Sequence, residues 1–375
     1  MRDPRLDKLA SVLVNFSTRI KEGELVCIRA DPISMPLIEA TYEAILAAGA
    51  HPVYSARSDA LSEIMLEQAN DAQLEFVSPI ESYQTEQVDV LIAFWADTNT
   101  KSMSRIDPKR SARQSAARKP LMKRFMEREA EGSLRWCGTQ YPTPASAQDA
   151  EMSLRQYEDF VFRAGKLHTD DPAAEWTRLR ESQQRVCDWL QSKKELRFRS
   201  PNGTDLRVDI DGAIWINAWG DSNFPDGEVF AGPQGVEGVV CYDFPAVEAG
   251  REVHDIRLEF KGGRVVDASA SKNEAFLCEM LDQDEGARGL GEIAIGTNYD
   301  ITEYTKNTLF DEKIGGTFHA AVGAGYPASG NSNESGLHWD MVCDLRHGGT
   351  IEADGEVFHR DGRFLNDGWP GPRPE

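Results

Sequence analysis

Between Glu24 and Asp97 the chain alternates short apolar runs with helical stretches, and few folds accept that order. ELVCIRA is an apolar run of strand length. Pro36 opens PLIEATYEAILAAGA, an alanine-rich helix that Gly49 closes. HPVYSAR reads as a second strand, residues 61 to 75 as another helical stretch, and VDVLIAFWAD as a third strand. Strand, helix, strand, helix, strand is the order of a parallel α/β layer. No G-x-G-x-x-G follows the first strand, so the layer carries no dinucleotide fingerprint. Upstream, Leu6, Leu9, Val12, Leu13 and Phe16 recur at helical spacing, and Gly23 ends that segment.

The character changes further along. Trp176, Leu179, Val186, Trp189 and Leu190 keep helical spacing within a helical region from 150 to 195. After Lys194, ELRFRS, PNGTDLRVDID and AIWINAW read as strands separated by turns at Pro201-Asn202-Gly203 and Asp211-Gly212. NEAFLCEMLDQ is a helix within this β-rich part. A chain of 375 residues exceeds one ordinary core. The expected architecture is therefore α/β: an N-terminal parallel α/β domain over 1–170, followed by a β-rich α+β domain over 171–375. The boundary falls between 165 and 195.

Net charge narrows the function. At −21 the chain is unsuited to the phosphates of nucleic acid or to an anionic membrane surface. One segment, RIDPKRSARQSAARKPLMKRFMER (105–128), is locally basic. It reads as a solvated helix face or as a surface that packs on an acidic partner. No apolar run reaches the ~20 residues that span a bilayer, and MRDPRLDKLA lacks an apolar signal core. The six cysteines form no C-x-x-C pair, and most sit in apolar patterns as buried thiols. The expectation is a soluble cytoplasmic protein.

The chemistry concentrates in Asp311 to Leu345. His338 and Asp340 are two apart, so on a strand both face one side. Trp339, Met341, Cys343 and Leu345 then face a core. Glu312, His319 and Tyr326 are spaced by seven, close to two helical turns, although Gly315 and Gly316 oppose a continuous helix. Imidazole and carboxylate together suit zinc, manganese, cobalt or iron. Two more carboxylates belong with them. In NFPDGEVFAGP, Glu228 leaves the Pro225-Asp226-Gly227 turn at the start of an extended run. In GEIAIGTN, Glu292 alternates with Ile293 and Ile295 and so points away from the apolar face.

Taken together, NFPDGEVFAGP, GEIAIGTN, FDEKIGGTFHAAVGAGY and NESGLHWD resemble the thermophilic metallo-aminopeptidase family of aminopeptidases T and S, in order and approximate spacing over residues 220 to 345. The resemblance implies a dinuclear metallopeptidase, a homodimer, that removes N-terminal residues from peptides using two divalent ions (zinc, cobalt or manganese). It implies metal ligands at Glu228, Glu292, Glu312, His319, His338 and Asp340. Glu292 would bridge the ions, Tyr326 would hydrogen-bond the developing oxyanion, and Glu312 or Glu292 would act as general base. The seven-residue gap from Glu312 to His319 is longer than in some relatives, and the tail after Asp340 is short.

Two other readings use the same residues. His319, His338 and Asp340 also make a two-histidine, one-carboxylate triad for a single non-haem iron, as in an oxygenase. Such an oxygenase has no use for Glu228, Glu292 and Glu312, which favour the hydrolase. A non-catalytic metal-dependent binding protein is the third reading, and turnover of any aminoacyl amide excludes it.

Overall fold

Asp3 accepts from the Arg5 amide and Pro4 opens the helix, so α1 (Pro4–Ser11) starts where the chain first allows it. In the computed structural model, which describes residues 2–373, the chain divides into two units. One takes the chain through Ala173 together with Gly220–Phe224. The other takes Ala174–Trp219 and the chain from Pro225 onward.

In the first unit α1 is followed by β1 (Leu25–Ala30), α2 (Met35–Ala47) and β2 (His51–Ala56). Three helices come next, α3 (Asp59–Gln68), α4 (Asp71–Glu75) and α5 (Pro79–Gln87), and then β3 (Val90–Trp95). The unit continues through α6 (Pro108–Ala130), β4 (Arg135–Gln140), α7 (Pro144–Asp149) and α8 (Leu154–Ala164). β1 pairs in parallel with β2 and β3, and β3 with β4. Val26, Ile28, Val90 and Ile92 are wholly buried, as strands covered on both faces require. The expected parallel layer is therefore present. The helical stretch expected over 61–75 is in fact two helices. Asn70 and Gln73 form a capping box that restarts the chain as α4.

The basic segment finds its acidic surface within its own unit. On α6, Arg113 pairs with Asp71 and with Glu75 at 3.5 Å, Arg118 with Glu81 at 3.6 Å, and Arg124 with Glu86 at 3.0 Å. Arg128 is buried and donates to the carbonyls of Thr85, Val88 and Ser133 at 2.7, 2.9 and 2.8 Å. These four arginines tie the segment to α4, α5 and the β3 approach.

In the second unit α9 (Pro172–Leu190) precedes the hairpin of β5 (Glu195–Arg199) and β6 (Asp205–Asp209). AIWINAW holds only a short strand, β7 (Ile216–Ala218). The chain then supplies β8 (Asn223–Phe224), which adds in parallel to β4 and completes the first unit's sheet in the order β2-β1-β3-β4-β8. From Pro225 the chain belongs to the second unit and forms β9 (Glu228–Ala231), β10 (Gly235–Cys241), β11 (Ala246–Glu248) and β12 (Arg251–Val253). β13 (Arg257–Lys261), β14 (Arg264–Ser269), α10 (Glu274–Leu281), β15 (Leu290–Gly296) and α11 (Thr308–Asp311) follow. The chain closes with β16 (Thr317–Gly323), β17 (His338–Asp344), β18 (Thr350–Ala353), β19 (Glu356–Arg360) and β20 (Arg363–Phe364).

These strands make an eight-stranded sheet, β14-β13-β10-β6-β5-β18-β19-β20, and a five-stranded antiparallel sheet, β17-β16-β15-β9-β7, with β11-β12 as a small ribbon. One apolar core joins the inner faces of the two large sheets. Phe198 of β5 meets Phe318 of β16 with ring centroids 4.3 Å apart. Trp339, Met341, Cys343 and Leu345 all enter this core, so the predicted apolar back of the His338 strand is observed. The other face of the five-stranded sheet holds the polar residues.

Candidate metal centre

Period-two alternation puts Glu228, Glu292, His319, His338 and Asp340 on the face opposite Val229, Ile293, Phe318, Trp339 and Met341, which are core residues. Strand pairing then brings them together. Glu292 of β15 lies opposite Ala321 of β16, and Ala321 lies opposite Asp340 of β17. The methyl group of Ala321 leaves room for the two flanking carboxylates to converge. Glu228 lies opposite Gly296, and Gly227 before it has φ +122. A Cβ at Gly227 would sit 2.7 Å from Cβ of Asn298, so only glycine brings the chain into β9 at this approach. Gln183 of α9 donates to the Glu228 carbonyl at 2.8 Å and holds that strand end.

His319 is the centre. Its Nε2 lies 3.2 Å from Glu292 Oε1, 3.3 Å from Glu228 Oε2 and 3.7 Å from Asp340 Oδ1. Its Nδ1 donates to the Glu312 carbonyl at 3.0 Å. His338 is arranged in the same way: Nδ1 donates to the Ala324 carbonyl at 2.9 Å, and Nε2 lies 3.5 Å from Asp340 Oδ2. A carbonyl oxygen only accepts, so each Nδ1 carries hydrogen and each Nε2 is the nitrogen turned to the carboxylates. That is how metal-binding histidines are oriented. Glu228, Glu292 and His319 offer ligand atoms within 4.8 Å of one another, and so do Glu312, His319 and Asp340.

Glu312, His319 and Tyr326 do not share a helix. α11 stops at Asp311, Glu312 caps it, and His319 is on β16. The glycine pair Gly315-Gly316 separates the two elements. Glu312 nevertheless reaches the cluster through the fold of the β16 approach. Tyr326 lies on the loop between β16 and β17, 37% exposed, its ring edge-on to Phe230 with centroids 6.1 Å apart. Phe230 shares the Glu228 face of β9.

Two residues escaped the sequence reading. Lys313, 1% exposed in its side chain, pairs with Glu228 Oε1 at 2.9 Å, with Asp226 Oδ1 at 3.7 Å and with Glu312. Asp226 is itself buried. Their signal was a lysine and an aspartate inside two of the acidic motifs, where hydrophilic turns are the ordinary explanation.

The electrostatics are those of crowded buried charge. Burial pushes the Glu228 carboxyl up to about 8, with Lys313 opposing and Glu312 reinforcing the shift. Burial and then Glu312 raise Asp340 to about 6. At His319 burial favours the neutral ring, but the hydrogen bond to Glu292 and the charges of Glu228 and Asp340 outweigh it and carry the imidazole to about 10. Asp226, Glu228 and Glu312 pair with the Lys313 ammonium, whereas Glu292 and Asp340 lie against His319. Glu228 Oε2 and Asp340 Oδ1 are buried and make no hydrogen bond. Buried carboxylate oxygens left in this way are costly unless a cation meets them. The nitrogen and oxygen donors fit zinc, cobalt or manganese. A pocket lined in part by Val247, Tyr304, Thr308, Glu312 and Asp340 opens beside them.

The sequence profile of the thermophilic metalloprotease (M29) family matches residues 2–364. Aminopeptidase 2 of Geobacillus stearothermophilus is 28% identical over 353 residues, covering 87% of this chain and 85% of that protein. Aminopeptidase T of Thermus thermophilus is 28% identical over 300 residues, covering 71% of this chain and 72% of that protein. Among solved structures, wild-type AmpT from Thermus thermophilus superposes with a TM-score of 0.84 at 24% identity, over 97% of this chain and 99% of that one. A 2,5-dihydroxypyridine dioxygenase from Pseudomonas putida superposes with a TM-score of 0.58 at 13% identity, over 97% and 98% of the two chains. Both structural matches speak to fold.

Proposed function

Because the chain belongs to the thermophilic metalloprotease (M29) family, we propose that it is a metal-dependent aminopeptidase, removing the N-terminal residue of peptides. The observation that carries this reading is the pair of unpartnered buried oxygens, Glu228 Oε2 and Asp340 Oδ1, 3.3 and 3.7 Å from the same histidine nitrogen.

Glu228, Glu292, Glu312, His319, His338 and Asp340 would hold two divalent ions, zinc, cobalt or manganese. Bound there, such ions supply a Lewis acid for the carbonyl and an acidified water. The protein's own groups do the rest. The Glu312 and Ala324 carbonyls fix the imidazole rings of His319 and His338. The acidic surplus favours a substrate with a free α-amine, which an internal peptide bond does not offer. Tyr326 supplies a hydroxyl to the developing oxyanion, and Glu292 or Glu312 takes the proton from the attacking water and delivers it to the leaving amine. In this reading residues 171–375 form the catalytic domain and 1–170 the accompanying α/β domain. The free thiols of Cys27, Cys187, Cys241, Cys278 and Cys343 suit a reducing, cytoplasmic setting. Among the described residues no helix is long and apolar enough to cross a membrane. A homodimer is the assembly we propose, by family resemblance.

The oxygenase reading shares the fold, since a dioxygenase superposes on this chain. Fold does not choose between chemistries. The carboxylate-rich surroundings of His319 favour hydrolysis. The test is metal analysis of purified protein beside a panel of aminoacyl p-nitroanilides and their N-acetylated counterparts. Hydrolysis of the free-amine compounds alone is expected. Oxygen consumption without amide hydrolysis would overturn the reading.

A further inference from the structure

The sheet of the first unit is unevenly covered. On one face Val26, Ile28, Val90 and Ile92 are wholly buried. On the other, Cys27 packs with Leu25, Leu91 and Phe125 of α6, and beyond them the cover thins. Alternation puts Arg29 next on β1, and Ala93 and Trp95 next on β3, on that same face. Arg29 and Ala93 are half-buried, and Trp95 is 36% exposed. Register sets them side by side: Arg29 pairs with Ala93, and Ala93 with Gly138 of β4. The Trp95 indole lies over Gly138, where an added Cβ would stand 2.3 Å from its ring. The result is a slot floored by Ala93, with Arg29 on one side and the indole on the other.

This slot stands where the strand order reverses. In β2-β1-β3-β4-β8 the chain leaves β1 on one side for β2 and returns on the other as β3. Open α/β sheets bind ligands at the carboxyl ends of strands at such a point. Arg29 is the penultimate residue of β1 and Trp95 the last of β3. Unlike the arginines of α6, Arg29 has no hydrogen bond or ion pair among the described residues. Its rigid fork of donors matches a carboxylate. Two residues past Trp95, the side chain of Asp97 accepts no hydrogen bond among the described residues. Burial and then Asp59 push its carboxyl above the usual range, with Arg57 opposing and Asp149 and Asp31 adding to the shift. Asp97 follows Ala93 by four positions, on the order of 13 Å of extended chain, and the Arg29 and Asp97 side chains are together long enough to bridge most of it. The arginine lacks an anion and the aspartate lacks a cation. A ligand of one sign satisfies one and is repelled by the other. A small zwitterion with an apolar side chain suits both charges and the indole.

We propose that this slot binds a free α-amino acid with an apolar side chain, its carboxylate on Arg29, its ammonium on Asp97 and its side chain against Trp95. That the ligand is the residue this enzyme releases rests on the aminopeptidase reading above; the slot itself does not.

The experiment is calorimetric titration of L-leucine into the full-length protein as purified, and into His338→Ala, which disables the metal centre as a competing site. Leucine is expected to bind both. Adding Arg29→Gln to His338→Ala should weaken it by at least ~10-fold, the scale of a lost hydrogen bond between charged groups. N-acetyl-L-leucine and L-leucinamide each lack one of the two charges and should bind His338→Ala at least ~10-fold more weakly than leucine does. Should the Arg29→Gln protein fail to fold, Arg29→Lys gives the same answer, because it keeps the charge and loses the fork: weaker leucine binding is expected. No leucine binding in His338→Ala, an affinity untouched by the Arg29 substitutions, or N-acetyl-L-leucine bound as tightly as leucine would each overturn the proposal. Leucine binding without hydrolysis of any aminoacyl p-nitroanilide would overturn the aminopeptidase reading and leave the slot standing.

Discussion

His319 Nδ1 donates to the main-chain carbonyl of Glu312 at 3.0 Å, so one residue orients the ring while its own carboxylate faces the same cluster. The carbonyl sets the tautomer. Nε2 is left as the atom that meets Glu228, Glu292 and Asp340. This coupling ties the geometry of the α11–β16 connection to the chemistry of the site.

His338→Ala and Asp340→Ala should each abolish peptidase activity and remove bound metal while the fold survives. Both side chains stand on the outer face of β17, away from the core. Cys343→Ala acts on the inner face, where the thiol is fully buried. It should cost about 1 kcal/mol of stability and leave metal content intact. Elemental analysis beside urea unfolding separates the two outcomes, and near-normal metal in His338→Ala would contradict the assignment.

Tyr326→Phe tests the oxyanion role. The substitution removes a hydroxyl and keeps the ring's edge-on contact with Phe230. Turnover should fall by at least about a hundred-fold, with a similar KM and full metal content. Undiminished turnover would make Tyr326 a packing residue, whereas loss of an ion would make it a ligand.

His359 sets a pH limit on stability that is separate from the site. Both of its ring nitrogens are buried without hydrogen bonds, and burial holds the imidazole down at about 3. The unfolded chain takes up the proton near the ordinary value of ~6.5. The folded value is the lower one, so stability is complete above ~6.5 and declines as the pH falls toward about 3, by at most about 1.4 kcal/mol per pH unit. His359→Leu should flatten this part of the profile in denaturant titrations at pH 7, 6 and 5. An unchanged slope would show that other groups carry it.

Arg128 and Arg124 share α6 but not their consequences. Arg128 is buried and satisfies three carbonyls. Arg128→Ala strands them and should cost about 2–4 kcal/mol. Arg124 makes exposed ion pairs with Glu86, Glu127 and Glu131, and Arg124→Ala should cost under about 1 kcal/mol. Thermal unfolding of the two variants checks the order.

What the sequence determined by itself was local. Period-two alternation put His338 with Asp340 on one face and Trp339, Met341 and Cys343 on the other, because a strand turns successive side chains to opposite sides whatever it pairs with. The glycine before Glu228, the proline-opened helices and the alternating strands of the first unit were legible for the same reason. Tertiary structure decided everything that depends on which strands pair. Ala321 separates Glu292 from Asp340 only because β16 lies between β15 and β17. Lys313 meets Glu228 only because the fold brings β9 to it across 85 positions of sequence. The spacing of seven that hinted at a helix for Glu312, His319 and Tyr326 belongs instead to a helix end, a strand and a loop. The basic run of α6 could not announce that its acidic partner was its own unit. Charge and periodicity act over neighbouring residues, whereas the partner of a buried charge is chosen by long-range packing, which no short window of sequence contains.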